Sequence, residues 1–175
     1  MNVRTALFAL TLITACGVNA DGEPYRLSSG DVLKISVFGE PDLSFDEVRL
    51  NDSSTFSYPF IGEVDARGKT AAQVEQILGA KLRDGYLVAP RVSVSVVTYR
   101  SFYISGEVNK PGGYPFEPGL TLDRAIARAG GLTERGSVRR ISIIRGDDGQ
   151  RANEKASLDT KVQPGDAITV DQGFF

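Results

Sequence analysis

The sequence predicts an α+β protein built from two small, strand-rich modules, each with a mixed sheet and one short helix. Three observations support this fold class. Apolar and polar residues alternate over 32–37 and 92–98, which is the periodicity of a half-buried strand. Apolar residues spaced three and four apart follow Thr70, as in an amphipathic helix. Two short phrases recur: "SGDVLKISV" at 29–37 returns as "PGDAITV" at 164–170, and "IGEV" at 61–64 as "SGEV" at 105–108.

The first module is predicted over residues 25–98. A turn at Gly30-Asp31 opens its first strand. The segment 48–64 predicts a hairpin whose turn is Asn51–Ser54, because these small polar residues favour turns. Thr70 is placed to cap a helix that ends at Gly85, and its buried stripe comprises Val74, Ile77, Leu78 and Leu82. A strand with Val92, Val94 and Val96 on its buried face closes the module.

The second module is predicted over residues 100–171 and repeats the plan. A strand over 101–108 leads to Pro111-Gly112, which suit the two central positions of a type II turn. Thr121 is placed to cap a short helix that Gly130 ends, with Leu122, Ala125, Ile126 and Ala129 facing inward. The segment 139–152 predicts a hairpin with Asp148-Gly149 at its turn, and 163–170 a closing strand.

The composition argues against several functions. The 175 residues include no His and a single Cys, which removes histidine-based general bases, catalytic triads and Cys-based zinc sites. A net charge of −2 gives no basic excess for nucleic acid. We therefore predict a non-enzyme without cofactor or metal, and with no nucleic-acid partner.

Residues 1–20 are predicted to be a secretory signal peptide. Arg4 precedes an apolar run over 6–15 that is too short to span a bilayer. We favour cleavage before Cys16, because "ITAC" is typical of a lipobox and Cys16 is the only cysteine. The mature protein would then lie in the periplasm, anchored to the outer membrane by lipid on Cys16. Cleavage after Ala20 is the alternative, and would give a soluble periplasmic protein.

Six polar or aromatic side chains of the second module are candidates for contacts with a polymer or partner. Lys110 lies in "GEVNKPGG", which lacks the Gly-Lys-Ser/Thr order of a phosphate-binding loop, so the turn interpretation is favoured. Guanidinium groups suit carboxylates and phosphates, although a solvated face is the simpler interpretation of an arginine cluster. Aromatic rings either stack on sugars or pack a junction. The remaining candidates are Arg135, Arg139, Arg140, Tyr103 and Tyr114.

Several phrases, in order, resemble the outer-membrane polysaccharide export family. Tyr25 with Gly30-Asp31, "PFIGEV" at 59–64 and "GKT" at 68–70 look like its polysaccharide biosynthesis/export domain. "YISGEVNKPGGYPFEPGLTLDRAIARAGGLT", from residue 103, looks like the SLBB domain that follows in that family. The resemblance covers about residues 25–171, and it implies that the second module is β-grasp-like.

The resemblance implies a function as well. Members form ring-shaped homo-oligomers and work with an inner-membrane polysaccharide co-polymerase to pass capsule or exopolysaccharide outward, without catalysis. Longer members carry a C-terminal amphipathic helix, and the present sequence stops just after "PGDAITV". We therefore expect a separate outer-membrane β-barrel partner. Three rival functions remain open: a monomeric saccharide-binding module, a periplasmic polysaccharide lyase or hydrolase, and a structural adaptor.

Overall fold

A computed structural model describes residues 24–146 and 153–173, and it confirms the α+β class. Strands dominate both described halves. Each half carries one α-helix, and the first also has a short 3-10 helix, Pro41–Leu43. The elements are β1 (Val32–Val37), β2 (Phe45–Arg49), β3 (Thr55–Tyr58), β4 (Gly62–Asp65), α1 (Ala71–Arg83), β5 (Val92–Thr98), β6 (Phe102–Gly106), β7 (Gly112–Tyr114), α2 (Leu122–Arg128), β8 (Gly136–Ile144), β9 (Asn153–Ala156) and β10 (Ala167–Gln172).

The first half packs α1 and a β3–β4 hairpin against a three-stranded sheet of order β2-β1-β5. Both pairings in this sheet are antiparallel, where the sequence predicts a mixed sheet. The predicted cap of α1 is confirmed: the Thr70 side chain accepts from the Gln73 backbone, and the Gln73 side chain accepts from the Thr70 backbone. The predicted stripe is buried or packs on the core, and Gly85 follows the helix at φ +94.

The predicted turn of the first hairpin is wrong. Asn51–Ser54 connects β2 to β3, but these strands belong to different sheets. The hairpin is β3–β4, and its turn is Pro59–Ile61. Phe60 occupies the centre of that turn at φ +65, and the Ile61 N–H donates to the Pro59 carbonyl at 2.8 Å. Both segments consist of residues that favour turns. Only the pairing of the flanking strands shows which of the two segments is the hairpin turn.

The second half is a five-stranded sheet of order β7-β6-β10-β8-β9 with α2 on one face. This sheet is mixed, because β10 runs parallel to β6 and the other pairings are antiparallel. The predicted inward face of α2 is confirmed, and it packs on the alternate residues of the central strands: Phe102, Ile104, Ile141, Ile143, Ile168 and Val170. The tip of the β8–β9 hairpin, including Asp148-Gly149, lies outside the described residues.

Two local predictions in the second half need correction. Gly112 does not adopt the positive φ that a type II turn requires; it lies in β7 and pairs with Ile104. The connection is instead held against the end of α2, because the Lys110 N–H donates to the Ala129 carbonyl at 2.8 Å. Thr121 occupies the N-cap position of α2 but makes no capping bond, since its hydroxyl contacts Asp123.

The repeated Gly-Asp phrase forms the same turn, with a buried aspartate, in both halves. Asp31 and Asp166 are both fully buried. Each accepts a backbone N–H from the residue three positions earlier, Ser28 at 2.9 Å and Gln163 at 2.7 Å. Each lies directly before a strand of its sheet. The other repeated phrase is not structurally equivalent, because it begins strand β4 in the first half and ends strand β6 in the second.

Candidate functional site

The face of the five-stranded sheet opposite α2 has no covering layer among the described residues, and we call it the open sheet face. Side chains alternate along strands, so the residues between the buried positions point to this face. Register aligns Ser105, Thr169, Ser142 and Lys155 in one row across four strands. The Ser105 and Thr169 hydroxyl oxygens are 3.4 Å apart. The row therefore presents hydroxyl groups and one ammonium group.

Tyr103 dominates the neighbouring row of the open sheet face. Its side chain is 59% exposed. It pairs with Gly113 of β7, and a Cβ added at Gly113 would lie 3.0 Å from the Tyr103 ring. The ring therefore lies against a position without a side chain. An exposed, laterally supported aromatic ring beside hydroxyl groups has the composition of a surface that stacks and hydrogen-bonds a sugar.

Tyr114 and Lys110 come together, but apart from Tyr103. The Tyr114 hydroxyl donates to the Lys110 carbonyl at 2.6 Å, and the Tyr114 ring stacks on Phe102 with centroids 5.9 Å apart. Phe102 belongs to the buried face of the sheet, whereas Tyr103 belongs to the open one. Tyr114 thus packs against the β6–β7 connection, which carries the exposed Lys110 side chain. Tyr114 therefore has a structural contact in addition to its predicted role.

The predicted arginines do not converge on one patch. Arg139 and Arg140 are adjacent on β8, so their side chains leave opposite faces of the strand. The Arg140 guanidinium donates to the Gln172 carbonyl at 2.9 Å. Arg135 precedes β8 and lines an open depression of about 510 Å³ with polar neighbours that include Glu107 and Glu134. Two carboxylates and one guanidinium line this depression, so its lining is not basic overall.

Arg145, which directly follows β8 in the chain, has an internal role. It lies 2.8 Å from the buried Asp166 carboxylate and 3.6 Å from Glu154. Burial raises the pKa of Asp166 despite the lowering effects of the backbone N–H of Gln163 and the Arg145 charge. The ion pair therefore neutralises a carboxylate at the start of β10 and is not available to a polymer.

Sequence reasoning missed the polar contacts that join the two halves. The Arg100 backbone N–H donates to the Asp31 carboxylate at 2.9 Å, and the Arg100 side chain donates to the Pro164 carbonyl at 3.0 Å. The Tyr25 hydroxyl also donates to Asp31, at 2.7 Å. The Tyr99 ring packs edge-on against Tyr25 at 4.9 Å between centroids and against Phe116 at 5.5 Å. The recurring Gly-Asp pair was the available signal, but a sequence shows no partner 69 residues away.

Sequence reasoning also missed a group of exposed apolar side chains at the far end of the first half. Phe38 and Phe60 are 75% and 70% exposed, and Val88 is 99% exposed. The Tyr86 hydroxyl donates to the Phe60 carbonyl at 3.0 Å, and the two rings lie 5.5 Å apart. The available signal was "YPFIG", an aromatic residue in a turn, where solvent contact is common.

Residues 24–146 and 153–173 show neither a metal-binding cluster nor a membrane-spanning helix. Neither stretch brings three acidic or cysteine side chains into a cluster that would hold a metal ion. No helix within them has the length and apolarity to cross a bilayer. Cys16, the predicted lipidation site, lies outside the described residues.

Taken together, the fold is that of a two-part α+β protein whose second half has a β-grasp-like sheet with one helix on one face. Two family models match in succession: the polysaccharide biosynthesis/export protein model over residues 19–97 and the SLBB domain model over residues 101–153. The chain belongs to the polysaccharide biosynthesis/export family, with an SLBB domain following the export domain. This confirms the resemblance drawn from the motifs.

Individual relatives support the same family assignment. The exopolysaccharide production protein ExoF of Rhizobium meliloti is 34% identical over 160 residues, covering 84% of this chain and 35% of its own length. The EPS I polysaccharide export outer membrane protein EpsA of Ralstonia nicotianae is 28% identical, covering 87% and 49%. The polysialic acid transport protein KpsD of Escherichia coli is 27% identical, covering 75% and 23%. The chain thus spans less than half the length of these relatives.

Proposed function

We propose that this protein is a periplasmic component of a capsule or exopolysaccharide export conduit. One observation carries the proposal: an export domain and an SLBB domain follow one another along the chain, and the relatives that share this stretch are named for polysaccharide production, export or transport. The protein acts as a ring-forming channel element without catalysis. It associates with the outer membrane, anchored by lipid on Cys16, or is soluble if cleavage follows Ala20.

The open sheet face supplies the contact with the exported polysaccharide in this proposal. Tyr103 offers an exposed ring at one row, and the hydroxyl groups of Ser105, Ser142 and Thr169 lie in the next. A conduit needs weak, repeated contacts that let a chain move on. One ring beside a row of hydroxyl groups that ends in one ammonium group fits that need better than a deep pocket, which would hold a single ligand.

The junction supports a channel element as well. Asp31 binds the backbone of Arg100, and the Arg100 side chain reaches the turn that starts β10. These contacts link the two halves through partly buried hydrogen bonds, so that the halves keep one relative position. A ring assembled from copies of the first half would then hold every second half in the same orientation. The inner-membrane co-polymerase and the separate outer-membrane β-barrel stay predictions of the resemblance.

The experiment is deletion of the gene with complementation, read out as polysaccharide at the cell surface and retained inside the cell. We expect loss of surface polymer, with restoration by the parent chain. Tyr103→Ala should restore less than the parent, whereas Leu158→Ala, which changes an exposed apolar residue of the same module, should restore fully. Unchanged surface polysaccharide in the deletion strain would refute the proposal.

A second function is supported by the same face. A monomeric saccharide-binding module would use Tyr103 in the same way without assembling into a ring. Native mass spectrometry of the purified protein distinguishes the two functions, because a strict monomer that binds oligosaccharide indicates the binding module. Cys16→Ser tests the anchor: a variant that fractionates and exports like the parent would show that lipidation is dispensable.

A further inference from the structure

We propose that the open sheet face binds an extended, acidic glycan whose sugar units are joined by equatorial linkages, and that this glycan crosses the strands instead of following them. The inference rests on the proposed contact with the exported polysaccharide and names the chemical class of that polymer. Three features of the face support it: the spacing of one row of side chains, the apolar character of the next row, and the charge at one end.

The first row, here the hydroxyl row, repeats one polar side chain per strand. Its members lie in register on β6, β10, β8 and β9, and they are Ser105, Thr169, Ser142 and Lys155. Neighbouring strands lie about 4.8 Å apart, which is close to the length that one sugar unit adds to an extended glycan. Residues on one face of a single strand recur only every 6.6 Å or so, which is longer than one unit. A glycan that crosses the strands therefore meets one polar group per unit, whereas a glycan that follows a strand does not.

The second row, here the apolar row, places hydrocarbon surface beside these polar groups. In this row Tyr103 pairs with Ala167, Ala167 with Ile144, and Ile144 with Asn153. Ala167 and Ile144 are partly exposed and do not belong to the core that packs on α2. The apolar row thus runs parallel to the hydroxyl row along the same face.

The two rows together match a flat glycan ribbon. Equatorial linkages keep a chain of pyranose rings extended, with C–H groups on its faces and hydroxyl groups along its edges. Such a ribbon lies with one face on the apolar row, where the Tyr103 ring stacks on it, and with one edge against the hydroxyl row. Axial linkages bend the chain, so that its units leave the straight rows after one or two contacts.

The charge of the face favours an acidic glycan. Lys155 is exposed, and it forms no ion pair with another residue of 24–146 or 153–173. The next positions on this face along β8 and β10 are Arg140 and Asp171, whose charges cancel. The β9 end of the hydroxyl row is therefore positive, and it attracts a carboxylate on the sugar unit that reaches it.

The test is binding of three matched hexasaccharides to the purified full chain, followed by amide chemical shifts in nuclear magnetic resonance. A mannuronate hexamer is acidic and has equatorial linkages, a guluronate hexamer has the same charge but axial linkages, and cellohexaose has equatorial linkages but no charge. We expect the mannuronate hexamer to bind most tightly. The guluronate hexamer should bind about tenfold more weakly, because stacking and hydrogen bonds are lost together. Cellohexaose should bind up to about fivefold more weakly at low salt, and this gap should close at high salt because an exposed charge pair is screened.

Variants separate the ring from the charge. Tyr103→Ala should weaken binding of the mannuronate hexamer by about two- to tenfold, whereas Tyr103→Phe, which keeps the ring, should bind like the parent. Lys155→Met should remove the preference for mannuronate over cellohexaose and keep the preference for mannuronate over guluronate. The matched control is Lys161→Met, because Lys161 is also exposed but bridges to Thr121 at the start of α2, away from the open sheet face. This control should leave both preferences unchanged.

The direction of the glycan is measured with a spin label at the reducing end of the mannuronate hexamer. We expect the label to broaden amide signals of β7 or β9, the two outer strands. Broadening confined to the ends of β10 would show a glycan that follows the strands and would overturn the proposal. Equal affinities for the mannuronate and guluronate hexamers, tighter binding of cellohexaose, or no binding at millimolar ligand would overturn it too. Each of these outcomes leaves the export function standing, because that function fails only if the deletion strain keeps its surface polysaccharide.

Discussion

Replacing Gly106 with alanine should destabilise the second module strongly, because this glycine ends β6 against the backbone of β10. Its φ is +83, and a Cβ at this position would lie 2.1 Å from the Val170 carbonyl oxygen. A left-handed backbone costs a residue with a side chain about 1–2 kcal/mol. Relieving the contact to 3.0 Å would open the strands by about 0.9 Å, which stretches the 2.8 Å hydrogen bond from the Glu107 N–H to Val170. An unmet buried backbone group adds about 1–3 kcal/mol, giving about 2–5 kcal/mol in all.

The matched control is Gly119→Ala in the same module. Gly119 has φ +81, but nothing lies within 4 Å of a Cβ added there. It should therefore lose only the backbone cost of about 1–2 kcal/mol. Urea unfolding of both variants, followed by circular dichroism, measures the difference between their free energies of unfolding. If the two variants lose the same stability, the close approach of Gly106 to Val170 does not exist in solution and the reasoning fails.

Three further predictions concern capping, the junction and pH. Thr70→Ala should cost about 1 kcal/mol of unfolding free energy because it removes a capping box. Thr121→Ala should cost clearly less, because Thr121 makes no capping bond. Equal losses in urea unfolding would contradict this. Asp31→Ala should cost about 2–6 kcal/mol of unfolding free energy, because it leaves two backbone N–H groups without an acceptor. Tyr25→Phe removes one donor to Asp31 and should cost about 1 kcal/mol. The reverse order in chemical denaturation would refute the role of Asp31 at the junction. Burial raises the pKa of Asp166, so the folded state takes up this proton at a higher pH than the unfolded state and gains stability as pH falls through that range. The stability advantage of the parent over Asp166→Asn should therefore grow from pH 7 towards pH 4, and a constant or shrinking difference in urea titrations would count against it.

The helices and most strands could be predicted from the sequence because their signals are local. The cap at Thr70, the stripe of α1 and the alternation of β5 need only neighbouring residues to be interpreted. The hairpin turn was misplaced because Asn51–Ser54 and Pro59–Ile61 are both good turns. Which turn reverses a paired hairpin depends on where β2 finds its partner, and β2 pairs with β1.

The repeated phrases show the same difference between local and long-range structure. The Gly-Asp phrase builds the same turn in both halves, since a buried carboxylate accepting a nearby N–H is a local arrangement. The Gly-Glu-Val phrase does not, because Gly106 is fixed by contact with Val170, 64 residues away, and Gly62 has nothing within 4 Å of an added Cβ. For the candidate site, the sequence could supply Tyr103 as an aromatic candidate. The hydroxyl row beside it depends on the register of four strands, which no local pattern encodes.

The central position of β10 has a consequence for the order in which the chain folds. β10 is the last strand described, yet it lies between β6 and β8. Until it is synthesised, those two strands have no bridge between them, and the apolar residues facing α2 stay partly uncovered. All strands and the helix of the first half lie within residues 32–98, so that half can complete its core while the rest of the chain is still emerging. The second half must wait for residues 167–172, and this delay leaves it the more exposed to aggregation and proteolysis during biogenesis.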